Sequence, residues 1–531
     1  MDLRNLVAHV AKEQHQSKIF TFEKGNVVAR THVDVVSDIQ ATCAALTAWG
    51  VKQGSRVGLR APNSYNWMIY DLALIELRAI SVALTDDFIN TPTEELFQKY
   101  SLSLLVSSEA ERPPAQEQRF PIAYIDGGNN KSAAIPPQQQ VSDDNFDRIG
   151  LIFTSGSTGG LKGILLNRQG LETSVDSFTQ AVNPTNNDCL LLFLPMSNLQ
   201  QRLMYYSALW YGFDLAITDP SRLFHALKEF RPTILIAPPT LYEAFETRFH
   251  NLPPWKRTAA KIVGTMALAI PFPAGRKKLG ATLFKDAHEA LGGRMRFMIT
   301  GMAPIKESTL KLFSLMQLPL YETYGLIEFG SVALNTPGST KLGSVGRLLP
   351  GVKVDFADDG EIIASIEQPQ AIGYFQCGEG EAERTFIDKG RIATGDIGRF
   401  DEEGFLYLVG RKKEIIITAG GEKVHPEVLE AKINASSDVA RSVVFREPDT
   451  PFLTAVVLPN DPNDSGAKAR IEQFVEGVQN HRDSIGRIVF TDVAFTRENG
   501  FLRPNLKLDR KNIAQYFQAQ TSSGKGASNG R

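Results

Sequence analysis

Three short runs constrain this chain more than any other feature: "DCLLLFLP" (188–195), "PTILIAPP" (232–239) and "MRFMIT" (295–300) are almost wholly apolar. A strand with one wet face alternates apolar and polar residues. A run without alternation has to be covered on both faces, as in a parallel sheet flanked by helices. Segments of helical period lie between such runs. In "SDIQATCAALTAWG", Ile39, Cys43, Leu46 and Trp49 share a helical face, and Gly50 stands where a left-handed C-terminal cap is expected. The strand-like "SRVGLRA" comes next. The expected class is α/β.

At 531 residues the chain exceeds what one core organises, so at least two domains are expected. The character changes near residue 410. "VGRKKEIIITAGGEKVHPEVLEAKI" sets a charged break before a strand, a glycine pair and a helix with Pro426 in its first turn. The expected division is a large multi-sheet N-terminal domain, 1–410, a smaller α/β C-terminal domain, 411–518, and a disordered tail, 519–531.

Lys plus Arg number 57 and Asp plus Glu 59, a net charge of −2, so nothing in the overall charge calls for a nucleic-acid partner. The three cysteines, Cys43, Cys189 and Cys377, form no CxxC pair, and neither a disulfide framework nor a zinc site is expected. A cytoplasmic setting fits. The start, "MDLRNLVAHVAKEQHQ", lacks the apolar centre of a secretion signal. The most apolar stretch, "KIVGTMALAIPFPAG" (261–275), is too short to span a bilayer and contains Pro271 and Pro273. Its basic flanks, "WKRTAAK" and "GRKK", are compatible with peripheral contact with an anionic membrane surface. A helix packed in the core with solvated ends is the simpler expectation.

"TSGSTGGLKG" (154–163) looks built for phosphate. It is not a Walker loop: counting from Gly156, Leu161 falls where the second glycine belongs and Gly163 where the Ser or Thr that holds magnesium belongs. Even so, Gly156, Gly159 and Gly160 let backbone N–H groups converge on an anion, and Thr154, Ser155, Ser157 and Thr158 add hydroxyls. Lys162 adds charge. The strand-like runs "RIGLIF" and "GILLN" bracket it, an unusual place for a linker. Composition alone leaves phosphate loop and linker equally open.

Further motifs decide between them. "FTSGSTGGLKG" resembles the glycine-rich loop of the adenylate-forming superfamily, with Leu161 in place of proline. "YETYGLIEFG", "TGD" (394–396), "GRKKEIIITAGGEKVHPEVLE" and "RPNLKLDR" follow in that superfamily's order. "LKEFRPTILIAPPTLYEAF", "FKDAHEALGGRMRFMITGMAP" and "KLGSVGRLLPGVKV" look most like its long-chain fatty acyl-CoA synthetase branch. The resemblance covers nearly the whole chain. It implies a mobile C-terminal domain and ATP-dependent activation of a carboxylic acid as acyl-AMP, with pyrophosphate release. Thioester formation with CoA would follow.

The resemblance also assigns roles. Lys507 would stabilise the adenylation transition state. Glu328 would bind Mg2+ beside the phosphates, with Thr158 as a second ligand. Thr154, Ser155, Gly156, Ser157, Thr158, Gly159 and Lys162 would form the phosphate loop, and Gly301 and Gly325 would line the nucleotide site. Tyr324 would stack on adenine, Asp396 would accept from the ribose hydroxyls, and Arg411 would reach ribose or phosphate. Lys413 would sit at a hinge that exchanges Lys507 for the segment around Gly420 and Gly421.

Four positions depart from the family pattern. Ile327 stands where a small or hydroxylated residue is usual, and Asn198, Arg168 and Ala393 replace common histidines. Two other readings therefore accompany the acyl-CoA synthetase. One is a ligase that loads an acyl carrier protein's phosphopantetheine arm or activates an unusual oxyanion. The other is a catalytically weak nucleotide- or acyl-binding homologue.

Overall fold

The computed structural model describes residues 1–13, 15–108, 120–125, 148–155, 161–268, 272–417, 423–447, 450, 452–479, 485–496, 498–502 and 508–524. Its class is mixed α/β, as expected, and the three apolar runs are strands of one nine-stranded sheet. In spatial order that sheet is Arg347–Leu348, Gly330–Leu334, Leu320–Leu326, Phe297–Thr300, Ile234–Ala237, Cys189–Leu192, Asp214–Ile217, Ile19–Glu23 and Asn26–Arg30. From Leu320–Leu326 to Ile19–Glu23 the strands run parallel. Both faces are covered: Leu190 and Leu192 enter one apolar cluster, and Cys189 and Leu191 another. This two-sided burial is the physical reason for the missing alternation.

A seven-stranded sheet runs Ala371–Phe375, Leu161–Asn167, Arg148–Ser155, Ile80–Ala83, Arg56–Arg60, Leu104–Ser107 and Ile122–Tyr124. It contains the strand read from "SRVGLRA", and the helix His32–Ala48 precedes it, ending at Gly50 with φ +86°. A third sheet is antiparallel and contains Lys353–Phe356, Glu361–Ser365, Arg391–Phe400 and Phe386–Asp388, with Leu406–Arg411 paired to Arg391–Phe400.

Beyond Arg411 come the short turn Lys412–Glu414 and a three-stranded sheet, Val439–Arg446, Leu453–Pro459 and Ile485–Phe490. The helices Pro426–Asn434 and Ala467–Val478 close over it around Leu429, Ile433, Val444 and Ile471. Arg441 of this sheet pairs with Glu243, and Lys306 Nζ donates to the Val439 carbonyl at 3.0 Å.

Two expectations need correction. The helix Pro254–Leu268 is not enclosed in the core. Only Gly264 and Ala267 along it are fully buried, because its small-residue face is the one that packs. The helix Arg510–Gly524 also carries through 519–524, the first part of the expected tail, propagating from a turn anchored by buried Ile513 and Phe517. Residues 525–531 lie outside the described residues.

Candidate nucleotide-binding and acyl-activating site

Parallel α/β sheets present ligands at the carboxyl ends of their strands. Phe297–Thr300 ends at Gly301, and Leu320–Leu326 carries Tyr324 and Gly325 at its end and leads into Glu328. Close packing restricts both positions, by backbone at Gly325 and by a side chain at Gly301. A Cβ at Gly325 would lie 2.6 Å from the Gly330 carbonyl oxygen, and one at Gly301 2.8 Å from Thr323 Cγ2.

The turn through 324–328 serves two clusters. At its start, the Tyr324 hydroxyl donates to Asp396 Oδ2 at 2.8 Å. Asp396 and Arg411 are cross-strand partners, and Arg411 Nε lies 3.2 Å from Asp396 Oδ1. The Thr394 hydroxyl accepts from the Asp396 N–H at 3.1 Å, and Gly395 takes φ +73°, so the "TGD" turn aims its carboxylate by backbone geometry. Glu361 braces it, accepting from the Gly395 N–H at 2.9 Å while pairing with Lys412 at 2.7 Å.

At the end of the turn, Glu328 Oε1 accepts from the Tyr374 hydroxyl at 3.0 Å. Tyr374 lies on the strand hydrogen-bonded to Leu161–Asn167, and Lys162 Nζ sits 5.0 Å from its ring centroid. Burial and the nearby Glu328 charge push the Tyr374 phenol up, keeping it a donor. Lys162 is also ion-paired with Glu381, which holds that carboxyl below its usual range. Tyr374, Glu381 and Glu361 belong to no recognised motif; chain folding alone brings them here.

On either side of 156–160, Arg148–Ser155 and Leu161–Asn167 pair antiparallel, Thr154 opposite Lys162 and Ser155 opposite Leu161. The segment therefore joins two paired strands. Gly156, Ser157, Thr158, Gly159 and Gly160 lie outside the described residues, as do Gly420, Gly421 and Lys507. Leu502 and Leu508 bridge across the segment that holds Lys507. Arg510, three residues after Lys507, pairs with Glu414 at 2.8 Å and with Glu430, tying the start of the helix Arg510–Gly524 to the turn that carries exposed Lys413.

The four departures fall into two kinds. The Ile327 side chain packs against the main apolar cluster, and Ala393 lies opposite Ile363 just before the "TGD" turn. Arg168 opens the helix Arg168–Val182 and pairs with Glu172 at 2.7 Å, while exposed Asn198 stands at the N-terminus of Leu199–Tyr211. Ile327 and Arg168 thus have local packing or pairing roles, whereas the Asn198 side chain makes no cap hydrogen bond.

Glu322, two residues before Tyr324 and on the same strand face, is pushed up to about 8 by burial and by the charge of Glu307. Between the ordinary carboxylate value and that one, the folded state keeps a proton that the unfolded chain has released. Stability therefore falls as pH rises through this window. Glu322→Gln is expected to flatten that slope in unfolding midpoints taken from pH 5 to 9. Parallel curves for the two proteins would refute the assignment.

Comparisons with known proteins find similar sequences and similar folds. The long-chain-fatty-acid–CoA ligase FadD15 of Mycobacterium bovis is 27% identical over 551 residues, covering 92% of this chain and 90% of the relative. The human long-chain-fatty-acid–CoA ligase 1 is 27% identical over 419 residues, covering 70% of this chain and 60% of its own. In fold, the chain is similar to ATP-bound MatB from Rhodopseudomonas palustris, with TM-score 0.73 and 21% identity over 97% of this chain and 99% of that one. It is also similar to the anthranilate CoA ligase AuaEII in complex with anthranoyl-AMP, with TM-score 0.75 and 17% identity over 98% of each chain. The expected resemblance to the long-chain branch of the adenylate-forming enzymes is borne out. Residues 7–369, more than half of the chain, match the model of the AMP-binding enzymes, and the chain belongs to that family.

Proposed function

We propose that this chain is an AMP-forming acid–CoA ligase acting on a fatty or other hydrophobic carboxylic acid. One observation carries the site assignment: a single turn, 324–328, reaches the Asp396 and Arg411 pair at one end and the Tyr374 and Lys162 cluster at the other. A nucleotide needs this polarity, with hydroxyl acceptors for ribose at one end and positive charge for phosphate at the other.

In the first half-reaction a carboxylate oxygen attacks the α-phosphorus of ATP and the bond to pyrophosphate breaks. In the second, the CoA sulfur attacks the acyl carbonyl and AMP leaves. Asp396 holds ribose, Tyr324 sets the adenine end, and Lys162 meets the β- and γ-phosphates after parting from Glu381. Among the described residues no cluster of three or more His, Cys, Asp or Glu could cage a metal. The Glu328 carboxylate, a hard oxygen donor on the 324–328 turn, fits a Mg2+ held chiefly by the triphosphate; Thr158 would be the second protein ligand, and the metal would neutralise phosphate charge.

The division at 410 into large and small domains fits this chemistry. Lys507 would serve adenylation and leave as the segment around Gly420 and Gly421 arrives for the thiol, with Lys413 in the pivoting turn. Lys507→Ala is expected to slow acyl-AMP formation by about 10²–10³-fold while sparing thioester formation from supplied acyl-AMP. Unchanged pyrophosphate release by the variant would remove this role.

The acid itself is identified by pyrophosphate release with ATP and Mg2+ across acids of graded length, with CoA, with a holo acyl carrier protein, or with neither. Release that rises with chain length and turns over with CoA supports the ligase. Turnover with the carrier protein alone moves the acceptor, and no release with any acid overturns the proposal.

A further inference from the structure

The helix Pro254–Leu268 has two apolar faces. Ala260, Val263, Gly264 and Ala267 pack inward, and the fit is close: a Cβ at Gly264 would lie 2.4 Å from Leu315 Cγ on the helix Glu307–Leu315. A second stripe, Trp255, Ala259, Ile262 and Met266, follows helical spacing along the solvent side. Trp255 is 68% exposed, Ile262 52% and Met266 63%. Phe272, just before the adjoining helix Pro273–Leu283, is 72% exposed. An aligned apolar stripe of this kind is not ordinary surface scatter.

Its charge surroundings are one-sided. Residues 252–284 contain six cationic residues, Lys256, Arg257, Lys261, Arg276, Lys277 and Lys278, and no Asp or Glu; the next acids along the chain are Asp286 and Glu289, the latter paired with Lys285 at 3.6 Å. Lys256 and Lys261 are exposed beside the stripe. An apolar stripe edged with ammonium groups is the chemistry of a helix lying in a bilayer interface: the stripe enters the acyl boundary and the cations meet anionic headgroups. No helix among the described residues is long and apolar enough to cross a membrane, so this surface would lie on a bilayer rather than span it.

We propose that the Trp255, Ile262 and Met266 stripe docks the protein on an anionic lipid bilayer. The choice of lipid as occupant follows from the one-signed charge. Its use rests on the proposed fatty substrate, since a long-chain acid resides in bilayers and a docked enzyme meets it there.

The test is co-sedimentation of the full chain with phosphatidylcholine vesicles made with and without phosphatidylglycerol, at low and high salt. Binding is expected to require phosphatidylglycerol and to weaken with salt. It should fall at least tenfold in Trp255→Ser/Ile262→Ser/Met266→Ser and in Lys256→Glu/Lys261→Glu. Brominated lipid should quench fluorescence in the wild type and not in Trp255→Phe. Equal binding by wild type and the triple-serine variant, or no binding at all, overturns the proposal. So does a wild-type dimer that the serine variant dissociates, because the stripe would then meet a second copy. Pyrophosphate release with a water-soluble acid in vesicle-free buffer separates the two readings. Activity without docking removes only the docking proposal, and docking without activity removes only the ligase.

Discussion

Asp71→Asn is expected to destabilise this protein by about 3–5 kcal/mol, the range for breaking one side of a buried ion pair. Asp71 and Arg202 are both fully buried, with Arg202 Nη2 2.5 Å from Asp71 Oδ1. The carboxylate also accepts from the Tyr205 and Tyr206 hydroxyls, each at 2.5 Å, and Arg202 donates to Ser81 Oγ at 2.8 Å. Asp71 belongs to the helix Tyr65–Glu76 and Ser81 to a strand of the seven-stranded sheet. Arg202, Tyr205 and Tyr206 come from Leu199–Tyr211, the helix before a strand of the nine-stranded sheet. The cluster therefore bolts together the layers that carry Lys162 on one side and Tyr324 on the other. A neutral amide leaves the guanidinium buried without its counter-charge, and the unfolding midpoint should drop by roughly 5–10 °C. Asp71→Leu combined with Arg202→Met is expected to cost less than Asp71→Asn alone, since no isolated charge remains. A shift of less than about 1 °C in Asp71→Asn would show that the pair does not hold the layers together.

Nothing local in the sequence announces that bolt: Asp71 and Arg202 are 131 positions apart, each on a helix whose other buried residues are mostly apolar. The strands were legible for the opposite reason. "DCLLLFLP", "PTILIAPP" and "MRFMIT" are continuous because each is covered on two faces, a property of the run itself. Their assignment to a different sheet from "SRVGLRA" was not legible, because pairing partners are chosen over long separations. Ile19–Glu23 reaches the nine-stranded sheet beside Asp214–Ile217, almost two hundred residues away.

The same distinction runs through the site. Tyr324, Glu328, Asp396 and Arg411 stand in ordered short motifs, and chain geometry gathers them around one turn and one strand pair. Tyr374 and Glu381 could not be read, because their relevance comes from Ala371–Phe375 lying beside Leu161–Asn167. The helix Pro254–Leu268 misled the core expectation because its inward face is made of small residues. Its large ones, the usual markers of a core, point the other way.

Asp396→Ala is expected to lower kcat/KM for ATP by roughly 10²–10⁴-fold, mostly through KM. A carboxylate that accepts both ribose hydroxyls makes two charge-assisted hydrogen bonds, each worth about 1.5–3 kcal/mol. The larger end of the range follows from what else depends on the group. Tyr324 donates its hydroxyl to Asp396 and Arg411 pairs with it, so alanine frees the adenine-side ring and leaves a half-buried guanidinium without its counter-charge. Tyr324→Phe separates these contributions. It removes the 2.8 Å bond to Asp396 and the hydroxyl's contact with Thr394 while keeping the ring and the carboxylate, so it should cost about 1–2 kcal/mol, or roughly 5–30-fold. Asp396→Asn keeps an acceptor of the same shape and should fall between the two. Acyl-AMP supplied ready-made carries the same ribose, so Asp396→Ala should weaken its binding in parallel with ATP. Lys162→Ala, at the residue proposed to meet the β- and γ-phosphates, should impair ATP use and leave acyl-AMP binding intact. If Asp396→Ala stays within about threefold of wild type for ATP, the carboxylate serves Tyr324 and Arg411 alone, and the ribose lies elsewhere.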